Sequence, residues 1–461
     1  MTRPVGKGPN RRHVLAGLAA VSFARPAAAA PISLRPAPSR VQLAPEGYGL
    51  TDVWAFSDEV PGPLLRGRQG ERMQVRVENG LAESTSVHWH GLRLENAMDG
   101  VPGLTQKPIE PGGLFDYDFR LPDAGTYWYH SHQRSFEQVA RGLYGPLIVD
   151  EAEPPEVDAD EVLVLDDWRL VGEGEIAGDF GAIFDKAHGG RIGNWVTVNG
   201  RGEWTKPAAR GMRMRLRLIN VANGRIFRLR FAGMRAAVVA LDGQPVARPE
   251  AAEDIVLAPA QRADLIVDVV ADEGGEAVIL SRERDGDFAV ASFPVEAGRA
   301  PRPDPFPALP PNAVPVPSMD EIAGAPVREL RMEGGAMGAM MSARADGAET
   351  DMRTLAGRGL VWALNGTAGM SEEPFAEIAR GTVVRMALRN ETAWPHGMHL
   401  HGHHFLEIDA GRAATLRDTT LVEPRETREI AFVADNPGDW LVHCHMLEHA
   451  DGGMMTWIRV T

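Results

Sequence analysis

The chain has a single cysteine in 461 residues, in the stretch His443-Cys444-His445-Met446-Leu447-Glu448-His449-Ala450-Asp451-Gly452-Gly453-Met454 close to its end. Read as a strand running into a loop, this stretch sends His443 and His445 to one face and Cys444 to the other, because side chains alternate along a strand. One thiolate and two imidazoles then serve two sites that stand back to back. Four residues separate Cys444 from His449, and four more separate His449 from Met454. A thiolate, an imidazole and a weak axial thioether are three of the four ligands of a blue copper site. The fourth, a second histidine, has to come from elsewhere. The plain alternative is a strand with solvated histidines and a buried cysteine.

Three further pairs argue against that alternative: His88-Trp89-His90, His130-Ser131-His132 and His399-Leu400-His401. Each has the His-x-His pattern, so each projects two imidazoles from one strand face, roughly 7 Å apart. His396, three residues before His399, is the natural second imidazole for the cysteine site. These segments take ten of the 14 histidines. Of the rest, His13 lies in the leader, His188 stands alone between residues 133 and 395, and His403 and His404 trail a pair.

An internal repeat shows where the pairs must meet. Gly70 with Asn79, Gly211 with Asn220 and Gly381 with Asn390 share a spacing of nine across a strand-like run. Nine residues beyond each Asn lie His88, Leu229 and His399; eleven beyond lie His90, Phe231 and His401. Nineteen residues beyond Pro111, Pro259 and Pro424 lie His130, Val278 and His443, and two further on His132, Leu280 and His445. One β-domain therefore occurs three times. The outer copies carry imidazoles where the middle copy is apolar, so the eight imidazoles converge where the first domain meets the third. The middle domain reads as a spacer that also walls a substrate pocket.

Short alternating runs such as Leu114–Leu121 and Arg213–Leu218, with 50 Gly and 34 Pro, read as all-β with many turns. Residues 301–317 hold eight prolines and read as a stiff linker. The expected boundaries are an export signal over 1–30, domains over 31–155 and 156–300, a linker over 301–325 and a third domain over 326–461. Arg11-Arg12, the apolar run Val14 to Phe23 and Ala27 to Ala30 form a signal with cleavage expected near Ala30. The arginine pair resembles the twin-arginine type, with an ordinary secretory signal as the alternative, and implies a periplasmic or otherwise exported protein. The run is too short to span a bilayer. Without the five cations of residues 1–30 the formal charge moves from −15 to −20, which argues against nucleic acid or an anionic membrane as partner.

The segments His88-Trp-His-Gly91, His130-Ser-His132, His396-Gly-Met-His-Leu-His-Gly402 and His443 to Met454 resemble the four copper motifs of the three-domain multicopper oxidases, a family that includes bacterial laccases and cuprous oxidases. The resemblance covers roughly residues 40–461. It implies three cupredoxin-like Greek-key β-sandwich or barrel domains and four copper ions: one type 1, one type 2 and two type 3. By motif match, His396, Cys444 and His449 bind type 1 copper with Met454 axial. His88 and His399 match the type 2 ligands, and His90, His130, His132, His401, His443 and His445 match the type 3 pair. Gly397 departs from the proline that many members carry there. Asp99 matches the family's acid near type 2 copper, the plain alternative being a turn Asp before Gly100. Glu448 and Asp451 read as the polar rim of His449, which in the family lies nearest the surface pocket.

The implied reaction is one-electron oxidation of a donor at type 1 copper coupled to reduction of dioxygen to water, by a monomer. Met332, Met337, Met340 and Met341 with Glu333 stand where cuprous oxidases resemble this chain but carry a longer Met-rich insert, and thioethers suit Cu(I). The alternative for that segment is a flexible loop or apolar packing. The stretch Glu391-Thr392-Ala393-Trp394-Pro395 lacks the methionine that cuprous oxidases tend to carry there, which favours a phenol or aromatic amine. Three readings follow: a laccase-like oxidase, a cuprous oxidase for copper tolerance, and a non-enzymatic scaffold on the same fold.

Overall fold

The computed structural model describes, apart from Thr2, residues 31–409 and 412–461. The expected export signal and its cleavage site lie outside the described residues.

Each third of the chain is a pair of sheets closed over its own core. In the first, Arg72–Glu78 pairs with Leu114–Arg120 and Ile32–Leu34, opposite a sheet ordered Leu65–Arg68, Tyr144–Asp150, Gly125–His130 and His88–His90. Arg72–Glu78 alternates strictly, with Met73, Val75 and Val77 inward, where they join Trp89, Tyr117, Phe119 and Tyr129 in one core. The middle third centres on Arg213–Asn220 and Arg262–Val269 packed over Phe227–Ala232 and Glu276–Ser281. In the last, Val383–Asn390 and Thr427–Val433 cover Gly438–Cys444, His396–Leu400 and Met455–Val460, and Cys444 and Met454 lie within the shared core. This is the all-β architecture of three cupredoxin-like sandwiches.

The repeat has a physical basis. Gly70, Gly211 and Gly381 all have positive φ (87°, 74° and 83°) in the turn that starts each repeated strand, a conformation that favours glycine. At the far end the three asparagines do the same work. Asn79 Oδ1 accepts from Leu81 N, Asn220 Oδ1 from Ala222 N and Asn390 Oδ1 from Thr392 N. Their amides hold the carbonyls of Ile109, Leu257 and Val422, tying down the loop that leads to the next strand. In the outer copies the histidine strands pair as the count implies, with His88 opposite His130 and His399 opposite His443. The middle copy differs: Leu229 stands opposite Ser281, not Val278.

Two features tie the thirds together. The whole of Arg213–Asn220 is buried, arginines included. Its arginines form a ladder of ion pairs: Arg213 with Asp268, Arg215 with Asp264 and Glu151, and Arg217 with Asp160. Since Glu151 precedes this part of the chain, the ladder joins the first third to the middle. The proline-rich linker is strapped down too. Arg213 and Arg235 stack on Phe306 and hold the Asp304 carbonyl, and Asn312 bonds to Ala124 and Gln244.

Candidate metal centre

The four His-x-His strands bring their imidazoles to one buried place between the outer thirds. The His90 ring stacks on His399 at 3.8 Å, and the His88 and His401 rings are 4.0 Å apart. The ligand atoms of His132, His401 and His443 lie within 4.8 Å of one another. The rings of His90, His130 and His445 lie 4.9 to 5.8 Å apart, and those of His88 and His399 are 5.9 Å apart.

Hydrogen bonding fixes which nitrogen each ring presents. The Nδ1–H groups of His88, His130, His399 and His443 donate to the carbonyls of Asp99, Ser131, Asp418 and Cys444 at 2.7, 2.9, 2.9 and 3.0 Å. His401 Nδ1–H donates to Asp99 Oδ2 at 2.9 Å. His90 is reversed: its Nε2 faces Asp418 Oδ1 and Thr419 Oγ1, both at 3.3 Å. The opposite nitrogens, Nε2 of His88, His130 and His399 and Nδ1 of His90, are buried with no partner, as are His132 Nε2 and both nitrogens of His445. His401 and His443 point unprotonated Nε2 atoms at each other across 3.1 Å. Burial holds the imidazoles of His90, His130, His132, His399, His401, His443 and His445 neutral by lowering their pKa. Orphaned neutral nitrogens and facing lone pairs are what a buried cluster needs to hold cations, so the donor set fits several metal ions.

On the other face of the Gly438–Cys444 strand, Cys444 Sγ lies 3.7 Å from both His396 Nδ1 and His449 Nδ1, which are 3.0 Å apart. Both rings turn Nδ1 inward because Nε2 is spent. His396 Nε2–H donates to Thr392 Oγ1 (2.9 Å), whose own proton goes to Asn390, and His449 Nε2–H donates to the His188 carbonyl (2.6 Å). Burial pushes the Cys444 thiol up to about 12, so a metal that binds there displaces the proton. One thiolate and two imidazoles suit a soft ion such as copper. Met454 is buried in the same core, and its carbonyl accepts from Cys444 N at 3.1 Å.

Asp99, buried, accepts from His401 through Oδ2 and from His88 through its carbonyl; its Oδ1 has no partner. It closes the short 3-10 turn Asn96–Met98 ahead of Gly100 and at the same time touches histidines of both outer thirds. Glu448 is not rim. It is fully buried, accepts from Asn223 (2.9 Å) and Arg191 N (3.1 Å), and burial pushes its carboxyl up to about 7. Asp451 is half-buried and pairs with Lys186 at 2.5 Å. His449 is buried as well, with the His188 carbonyl over its outer nitrogen, so it does not itself reach the surface. His188, half-buried, stacks on Phe184 at 4.0 Å and meets Trp394 edge-on at 5.2 Å. Met332 belongs to the core of the last third, while Met337 and Met341 are 75% and 80% exposed.

Sequence reasoning missed Asp418, Arg262, Thr392 and the His188 carbonyl. None stands at a ligand spacing; Asp418 meets His90, Arg262 meets Asp418 and the His188 carbonyl meets His449 across more than 150 residues, while Thr392 acts on His396 four residues away. His403 and His404, set aside as trailing residues, are buried, with His404 Nε2 3.7 Å from Asp418 Oδ2.

Family models described as multicopper oxidase match residues 39–154, 162–279 and 342–461. The chain belongs to the multicopper oxidase family. It is a copper-dependent oxidoreductase. The oxidase is 31% identical to multicopper oxidase MmcO of Mycobacterium tuberculosis, over 96% of this chain and 89% of that one. It is 29% identical to laccase-1 of Botryotinia fuckeliana (87% and 77% covered) and 28% identical to a copper resistance protein A homolog of Pseudomonas syringae pv. tomato (87% and 88%). Among solved structures it resembles Lac15 from a marine microbial metagenome, with 43% identity, a TM-score of 0.76 and 94% and 100% of the two chains covered. No helix among the described residues is long and apolar enough to cross a membrane.

Proposed function

We propose that the oxidase is laccase-like: an exported monomer that takes single electrons from phenols or aromatic amines at the Cys444 site and reduces dioxygen to water at the histidine cluster. In this reading His396, Cys444 and His449, with Met454 in the same core, would hold type 1 copper, and His88 and His399 would hold type 2. His90, His130 and His445 hold one type 3 copper, and His132, His401 and His443 the other. Bound copper supplies one-electron uptake at the first site and the stored electrons for four-electron dioxygen reduction at the second. The protein supplies the connection. Cys444 is bonded to His443 and His445 on either side, and His443 Nδ1–H returns to the Cys444 carbonyl, so one strand joins the two sites. Asp99 offers its free Oδ1 as a proton station beside His88 and His401. The domain boundaries near 155 and 300–325 and the signal ending near Ala30 belong to the same reading.

The donor class rests on one observation. The only hydrogen-bonded path outward from His449 Nε2 among the described residues is the His188 carbonyl, and the His188 ring is stacked against Phe184, itself 67% exposed. A planar aromatic donor can extend that stack. A second reading, cuprous oxidation, is favoured by Met337 and Met341. Both are exposed, and Met337 follows Ala336, whose amide bonds to Ala187 and whose carbonyl accepts from Trp394. Steady-state rates with a phenol and with Cu(I), for the parent and for Met337→Leu/Met341→Leu, separate the two. The laccase-like reading expects phenol turnover to dominate and neither rate to respond selectively. Dominant Cu(I) turnover that collapses in the leucine variant overturns it.

A further inference from the structure

The middle third carries none of the cluster's histidines, yet one of its side chains reaches the cluster. Arg262 begins the strand Arg262–Val269 and is fully buried. Its Nε donates to the Thr126 carbonyl in the first third at 3.1 Å. Nη1 and Nη2 grip Asp418 Oδ1 and Oδ2 in the last third at 2.8 and 2.6 Å, a bidentate fork. Nη1 also reaches the Ala260 carbonyl at 3.2 Å, and the backbone N–H of Arg262 bonds to Asp242. Asp418 in turn faces two ligands from different thirds. Its Oδ1 takes His90 Nε2–H, and its carbonyl takes His399 Nδ1–H.

Three details show that this junction is built. Gly91, next to His90, leaves room for it, since a Cβ there would run into Arg262 Nη2 and Asp418 Oδ2. Both Asp418 oxygens are occupied, by Arg262 on each and by Thr419 Oγ1 on Oδ1 at 2.8 Å, so this carboxylate is an acceptor and not a spare metal ligand. Gln261, the residue before Arg262, bonds to the Thr419 carbonyl at 2.9 Å and steadies the same turn. His90 is also the ring whose tautomer is reversed relative to its neighbours. Every other cluster ring with an assigned bond is tied through Nδ1 and presents Nε2, whereas His90 is tied through Nε2 and presents Nδ1.

We propose that Arg262 is a positioning residue for the trinuclear site: its guanidinium fork fixes Asp418, and Asp418 fixes the tautomer and seat of His90 and the seat of His399. The middle domain is then part of the copper machinery and not only a spacer. The effect is local to the cluster. His396 and His449 are anchored separately, His396 by Thr392 and Asn390 behind it and His449 by the His188 carbonyl.

The inference rests on the ligand assignment above, and its test separates the two. The full-length protein is compared with Arg262→Lys, which keeps charge but loses the fork, and with the double variant Arg262→Gln/Asp418→Asn. The double variant removes both charges together and so leaves no unpaired buried ion to unfold the chain. Copper is titrated against a chelator and counted by elemental analysis, with the thiolate–copper absorption band as an internal reference. Loss of such an outer partner costs about 10- to 100-fold in metal affinity. We expect that loss at the cluster, with the thiolate band per molecule unchanged. A parent that binds only one copper defeats the ligand assignment. A parent that binds the full set, with a folded double variant that matches its affinity, overturns the role of Arg262 alone. A second readout needs no variant and no copper. Nitrogen NMR of the copper-free parent, labelled at histidine, should show His90 protonated at Nε2, and protonation at Nδ1 overturns the proposal.

Discussion

Replacing Phe184 by alanine tests the route by which an electron reaches the oxidase. Phe184 is 67% exposed and holds its main contact face-on to the His188 ring at 4.0 Å and 18°. Truncating a side chain that already stands mostly in water removes little buried area, so the fold should be unaffected. What is lost is a stacking surface for the donor. An aromatic pair contributes about 0.5–1.5 kcal/mol beyond burial, which is about 2- to 10-fold in a rate or binding ratio. The His188 carbonyl that bonds His449 belongs to the backbone and stays in place, so the path inward is kept. The assay is steady-state kcat/KM for a phenol, an aromatic amine and hexacyanoferrate(II), a donor with no ring to stack. We expect the two aromatic donors to fall by about 2- to 10-fold and hexacyanoferrate(II) to hold. Equal losses for all three would mean a general defect in electron entry. No loss for any would mean that aromatic donors dock elsewhere, and either result refutes the argument.

Three other outcomes follow from the geometry. Fully loaded protein should hold four coppers and be intensely blue; Cys444→Ser should lose the colour and donor oxidation yet keep the cluster copper, since His443 and His445 face away, and loss of all copper would contradict the two-faced strand. Asp99→Asn keeps the hydrogen bond from His401 but cannot carry a proton, so rapid mixing with dioxygen should show reoxidation slowed by roughly 10²-fold with reduction by donor unchanged; identical reoxidation at every pH would leave Asp99 a structural acceptor only. Asp166 is buried and accepts from Tyr144 Oη (2.5 Å), and burial, with Asp167 beside it, pushes its carboxyl from 3.8 up to about 8. A raised folded-state pKa means stability that is complete below about pH 4 and is lost as pH rises through 8, at up to about 1.4 kcal/mol per pH unit. Asp166→Asn should flatten that slope in denaturant unfolding between pH 4 and 8, and parallel curves for the two proteins would falsify the assignment.

Much of the site was legible because its chemistry is local. His-x-His needs only the two-residue period of a strand to aim two imidazoles one way, and His-Cys-His needs only the same period to split two sites. The threefold repeat carried the rest of the architecture, because Gly at a positive φ and Asn across a turn are requirements of the chain itself. Neighbours along the chain could not reveal which groups the tertiary structure presses together. Glu448 looked like rim until Asn223 and Arg191 closed over it. The alternation of Arg213–Leu218 gave a strand but not the buried partners of its arginines, Glu151 and Asp264. His449 looked open until the His188 carbonyl covered its outer nitrogen.

The sequence by itself determined the β class, the threefold repeat and the gathering of the His-x-His imidazoles between the outer thirds, since each follows from residue spacing along the chain. Only the tertiary structure decided which nitrogen each imidazole presents, which acids are buried and what stands between His449 and a donor. Those depend on partners such as Arg262 and Asp418, 156 residues apart. A hydrogen bond or a buried charge is set by who is near in space, and nothing in the local pattern records that distance.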